Sequence, residues 1–205
     1  MKNNKGIIFT LISLGALFYF FANFQRIAIP GAVFDLLQQE LAVSAPYITA
    51  FGAIFMYLYA VNQLIIGVLV DRYGGLRVML TGGIILGIGA LLFPISTNLP
   101  LMYFSRVLVG IGGSCFYLSL IRELREYFSD KNFGIAISVM LCIGYCGGIA
   151  ANAPFVFMMK YMNWRTILVI LALIILAGVL LFIILSPKVK YPEINRNVKL
   201  RTLPF

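Results

Sequence analysis

Arg26 and Arg106 each stand inside a long apolar run, and no other run carries a charge well inside it. A cation at mid-membrane costs about 2.5–3.5 kcal/mol on insertion scales, so each must face a cavity, a partner or water at the membrane edge. Tyr19, Asn23, Arg26 and Pro30 recur at helical spacing and give one polar stripe to an otherwise apolar helix. Tyr103, Arg106, Gly110, Gly113 and Tyr117 give a second, in which the glycines clear bulk from the face along which the arginine points. Two such arginines make an electropositive half-cavity. Guanidinium binds carboxylate or phosphate bidentately, and positive walls of low dielectric concentrate anions. Each arginine also has a plainer reading. Arg26, close to Pro30, can snorkel to the outer interface, and Arg106 can bond backbone carbonyls and hold helices together. Asn152 and Tyr145 share a stripe and are candidates for solute contact, with Asn152 as packing glue the alternative.

The charged segment between the second and third apolar runs is the other chemical feature. Gly67-Val-Leu-Val-Asp71-Arg72-Tyr-Gly74-Gly75-Leu-Arg77 places Asp71, Arg72 and Arg77 in an expected loop of only about six residues, where glycine allows close approach and positive φ. Asp71, near a helix end, needs a cation or a helix N-terminus. Downstream, Arg122-Glu123-Leu-Arg125-Glu126 is expected to face this loop. Asp71 with Arg122 or Arg125, and Arg77 with Glu123 or Glu126, would then form a charge lattice; an ordinary solvated loop is the alternative.

These residues require elements that hold them in lipid. Of the residues, 61% are hydrophobic and 11% charged, which excludes an ordinary soluble domain. Apolar stretches at 7–31, 46–70, 78–97, 101–121, 133–157 and 164–186 are each long enough to span a bilayer. They lack the alternation of barrel strands, so the fold class expected is an all-α membrane protein of six transmembrane helices. Residues 1–186 are expected to form the bundle, and 187–205 a basic cytoplasmic tail or the start of a central linker. The retained first helix is aromatic and has no small-residue cleavage pattern, so a removed signal peptide is not expected.

Charge placement orients the bundle. Of sixteen Lys/Arg, twelve fall at one face: Lys2, Lys5, Arg72, Arg77, Arg122, Arg125, Lys131, Lys188, Lys190, Arg196, Lys199 and Arg201. Lys160 and Arg165, with Asp35 and Glu40, fall at the other. The positive-inside bias therefore makes both termini cytoplasmic, expected in the cell membrane. The net charge of +9 is read as topology with some attraction to anionic membrane lipids, not as a nucleic-acid footprint. Cys115, Cys142 and Cys146 lie within spans, which argues against disulfides or zinc. With no histidine, no nucleophile–base pair and no phosphate loop, neither an enzyme nor a cofactor is expected.

The 67–77 string resembles the loop-2/3 signature of the major facilitator superfamily; Gly67, Leu69, Asp71, Arg72, Gly74 and Arg77 match, and Leu76 stands where a basic residue is usual. Arg106, Gly110 and Gly112 resemble the helix-4 signature of proton-coupled members, with Val109 in place of a glutamine. The helix-5 glycines Gly144, Gly147 and Gly148 resemble an antiporter signature without its proline. The resemblance implies a 3+3 inverted-repeat half bundle in which helices 1 and 4 are symmetry-related. It implies the N-terminal half of a secondary transporter that moves a small solute by alternating access, and the charge of the two arginines, not the resemblance, favours an anionic or zwitterionic one. A C-terminal six-helix half or a second copy is the expected partner. It also implies that the lattice of Gly67, Asp71, Arg72, Gly74, Arg77, Arg122 and Glu123 acts as a conformational gate. The alternative is a six-helix membrane sensor or assembly partner derived from a truncated transporter.

Overall fold

A computed structural model describes residues 3–188. Six of its helices are long and apolar enough to cross a membrane: α1 (Asn3–Ala28), α3 (Ala45–Tyr73), α4 (Gly75–Ile95), α5 (Leu99–Tyr127), α6 (Asp130–Ala150) and α8 (Trp164–Leu185). Two short helices, α2 (Phe34–Leu41) and α7 (Ala153–Met158), join them on one side. Of the basic segment expected over 187–205, residues 189–205 lie outside the described residues.

The apolar runs become helices because lipid leaves backbone groups no other partner, and their ends follow local chemistry. Pro30 cannot donate to the ladder, so α1 stops at Ala28 and the chain turns through Gly31, whose amide donates to Ile27. The amphipathic α2 follows, inside a stretch with no spanning pattern, and closes at Ala42 with φ 51°. The single expected span over 133–157 is divided. Asn152 leaves helical geometry and donates through its side chain to the Gly148 carbonyl (2.7 Å), and Pro154 opens α7. The expected 71–77 loop is much shorter than six residues. Asp71 and Arg72 belong to the last turn of α3, Arg77 to the first of α4, and Gly74 alone intervenes with φ +89°. Only glycine holds that conformation without strain.

The helices pair as two triples, α1/α3/α4 and α5/α6/α8. The first helix of each packs on the middle helix of the other, α1 on α6 and α5 on α3, while α4 packs on both α5 and α8. Small residues set the closest approaches. A Cβ on Gly112 would come within 2.7 Å of the Gly82 carbonyl, and one on Gly147 would strike the carbonyl of Phe20. Phe18, Phe116 and Phe182 fill the centre of the core. A second apolar cluster, with Phe51, Phe93 and Trp164, fills the end that carries α2 and α7.

Candidate functional site

Two middle helices are left uncovered. On α3, Tyr57, Val61, Leu64 and Val68 are exposed, and on α6 Ile135, Val139, Tyr145 and Ile149. Between them runs a face built by α1, α3, α5 and α6. Its lower part is an apolar groove of about 560 Å³ between α1 and α6, lined by Phe9, Ile12, Ala16, Leu124, Val139 and Met140 among others.

Above the groove, tyrosines from all four helices gather. Tyr19 on α1 and Tyr117 on α5 lie with ring centroids 6.3 Å apart. Tyr59 on α3 stacks on Phe55 at 5.9 Å. Tyr59 is within electrostatic range of Tyr19, Tyr117, Tyr145 and Arg26 at once. Arg26 stands in the last turn of α1, half-buried, and makes no hydrogen bond or ion pair among the described residues. Asn23 is buried and donates to the Tyr19 carbonyl (2.9 Å), so it braces α1 and does not line the open face. Asn152 is exposed at the α6/α7 break, and its amide is used on Gly148.

Arg106 sits differently from the expected cavity-lining arginine. Its side chain is fully buried between α3, α4 and α5, with Nε donating to the Phe51 carbonyl (3.3 Å). Its guanidinium lies over the rings of Phe55 (5.3 Å) and Phe93 (5.9 Å), and Nη1 and Nη2 have no partner. This is the backbone-carbonyl arrangement, reinforced by cation–π contact. Arg26 alone of the two reaches the open face.

At the opposite end, Glu123 is buried and accepts from the amide of Leu76 (3.1 Å). A carboxylate from α5 thus occupies the N-terminus of α4, where orphan amides and the helix dipole favour negative charge. Asp71 and Arg72 are exposed, the latter over the Tyr73 ring at 5.4 Å. Arg122 is half-buried, with Nη1 unpartnered. Gly67 is half-buried, and a Cβ there would make ordinary contact with Leu118 at 3.9 Å. The candidate gate residues are therefore gathered at one end of α3, α4 and α5, with Glu123 at the N-terminus of α4.

Sequence reasoning missed two contributors. Tyr59 was hidden in an apolar run, and its only signal was helical spacing from Phe55. Arg165 at the start of α8 is more than a charge at one membrane face. It pairs with Glu40 of α2 (2.7 Å) and donates to the carbonyls of Pro94 and Ser96 (2.7 Å to the latter), fastening α2, α4 and α8.

The sequence is similar to those of known proteins. The family described as Major Facilitator Superfamily matches residues 13–204. A probable sulfoacetate transporter of Cupriavidus necator is 21% identical over 84% of this chain and 40% of its own length. A synaptic vesicular amine transporter of Bos taurus is 30% identical over 67% of the chain and 27% of its own length. A glucose transporter of Staphylococcus epidermidis is 28% identical over 87% of the chain and 40% of its own length. The chain therefore spans well under half the length of these relatives.

Proposed function

This chain belongs to the major facilitator superfamily, and we propose that it works as the N-terminal half of a secondary transporter for a small anionic or zwitterionic solute, by alternating access. A multi-pass membrane protein of six apolar helices is the frame for that activity. The observation that carries the solute class is Arg26, left without an anionic partner on the face shared by α1, α3, α5 and α6. Among the described residues every Asp and Glu lies near the end of a spanning helix or in α2, and none pairs with Arg26. The relatives divide by name among an organic anion, an amine and a sugar, so the charge on this face is what favours an anion.

The other wall is supplied by a C-terminal six-helix bundle or a second copy, seated against the exposed apolar stripes of α3 and α6. In this reading residues 1–186 are the half bundle and 187–205 a basic cytoplasmic tail or the start of the central linker. Both termini face the cytoplasm, in the cell membrane. Asp71, exposed at the end of α3, biases the equilibrium between inward and outward states through contact with that partner.

Transport assays test this. Coexpression with a C-terminal six-helix half should give saturable uptake of an organic anion, and the 205-residue chain as a monomer should give none. Asp71→Asn should lower uptake severalfold without changing the amount of inserted protein. Saturable uptake by the purified monomer, or unchanged rates in Asp71→Asn when transport is limiting, would refute the proposal.

A further inference from the structure

We propose that Arg26 with Tyr19, Tyr59, Tyr117 and Tyr145 forms a binding site for an aromatic carboxylate, the ring lying among the tyrosines and the carboxylate on the guanidinium. This rests on the solute-transport reading above and names the substrate class of that face.

The argument starts from what converges. Four tyrosines on four different helices share one neighbourhood, and a half-buried arginine without an ion pair stands at its upper edge. The tyrosines are graded in exposure. Tyr19 is buried, Tyr59 and Tyr117 are half-buried, and Tyr145 is 58% exposed. They therefore form a wall with a floor, not a sealed core. Phe55 stacks behind Tyr59.

Chemistry narrows the occupant. A planar ring gains offset or edge-to-face contacts with tyrosines worth about 0.5–1.5 kcal/mol each beyond its buried area. A cation would approach Arg26 with no carboxylate paired to it among the described residues to offset the repulsion. A carboxylate instead gains a charge-assisted, bidentate contact. Length agrees as well. From Arg26 to Tyr19 is about 10 Å along the helix axis at ~1.5 Å per residue. An aryl ring two or three bonds from its carboxylate reaches the tyrosines while its anion stays at Arg26.

The test is binding to the full chain in lipid nanodiscs, read by saturation-transfer NMR with three probes: 3-phenylpropionate, 2-phenylethylamine and propionate. Saturable binding of 3-phenylpropionate is expected, at least about tenfold tighter than either other probe. Arg26→Gln should weaken it by about tenfold or more, Arg26→Lys less. Tyr117→Leu should weaken it while Tyr117→Phe, which keeps the ring, should not. Unchanged thermal unfolding of each variant establishes that the fold persists. Equal binding of propionate, or an Arg26→Gln variant that binds as the parent does, would overturn the site. Preferred binding of the amine, lost in Tyr59→Leu, would overturn the carboxylate class and leave the solute-site reading standing. No binding of any probe would overturn the proposal, and only failed uptake in the coexpression assay would bring down the transport reading.

Discussion

Glu123 offers a direct measure of what the short α3–α4 reversal costs. Helix α4 begins at Gly75 with no side-chain cap from Gly74, so its first amides depend on a carboxylate reaching across from α5. Glu123→Ala removes a buried charge-assisted hydrogen bond, worth about 1.5–3 kcal/mol, and the charge–dipole attraction that forms part of it. Glu123→Gln keeps an acceptor and loses the charge, so about 1 kcal/mol is expected. Gly75→Ala tests the same contact from the other side. Its Cβ would lie 2.6 Å from both Glu123 Oε1 and the Ser119 carbonyl, and the second of these is backbone that cannot rotate away. Overpacking of that kind costs about 1–3 kcal/mol. The double variant Gly75→Ala/Glu123→Ala should not recover, because Ser119 remains. Unfolding in mixed micelles can be followed by thiol-reactive dye at Cys115, which is buried, in a Cys142→Ser/Cys146→Ser background that removes the two exposed thiols. Equal stability of parent and Glu123→Ala would show that α4 needs no carboxylate. Equal losses for Ala and Gln would show that charge is not what stabilises the junction.

Orientation and the outer clasp can be tested on the same preparation. Asn98→Cys should react with an impermeant thiol reagent added outside intact cells and Ser129→Cys should not; Ser96 is too buried to serve as the reporter, and labelling at position 129 alone would invert the topology. Arg165→Gln loses Glu40 and two carbonyl partners, so amides of α2 should exchange faster while those in the core of α5 stay protected; unaltered exchange in α2 would mean the clasp is not what holds it.

The six spans were legible because length and apolarity are properties of each segment alone. Lipid satisfies no backbone group, so a run of that composition has one available structure. The breaks were less legible. Pro30 and Pro154 both sit within or beside apolar runs, and hydropathy does not distinguish a helix from the turn that interrupts it. The charged reversal was located correctly, yet its length was not, since the positive φ of Gly74 lets two helices meet across a single residue.

Pairings across the bundle were the least legible, and the two arginines show why. In sequence Arg26 and Arg106 look equivalent, each one cation on a stripe holding tyrosine at helical spacing. Their fates diverge through residues on other helices. Phe51 and Phe55 of α3 and Phe93 of α4 close over Arg106 because glycines draw α4 and α5 together and α3 lies against Gly110. Nothing comparable covers Arg26, where the chain turns at Pro30 and the facing surfaces of α3 and α6 stay open. A polar stripe reports that a side chain avoids lipid. Whether it meets a carbonyl, an aromatic box or an open face depends on which helix packs there, and that is decided by contacts tens of residues away.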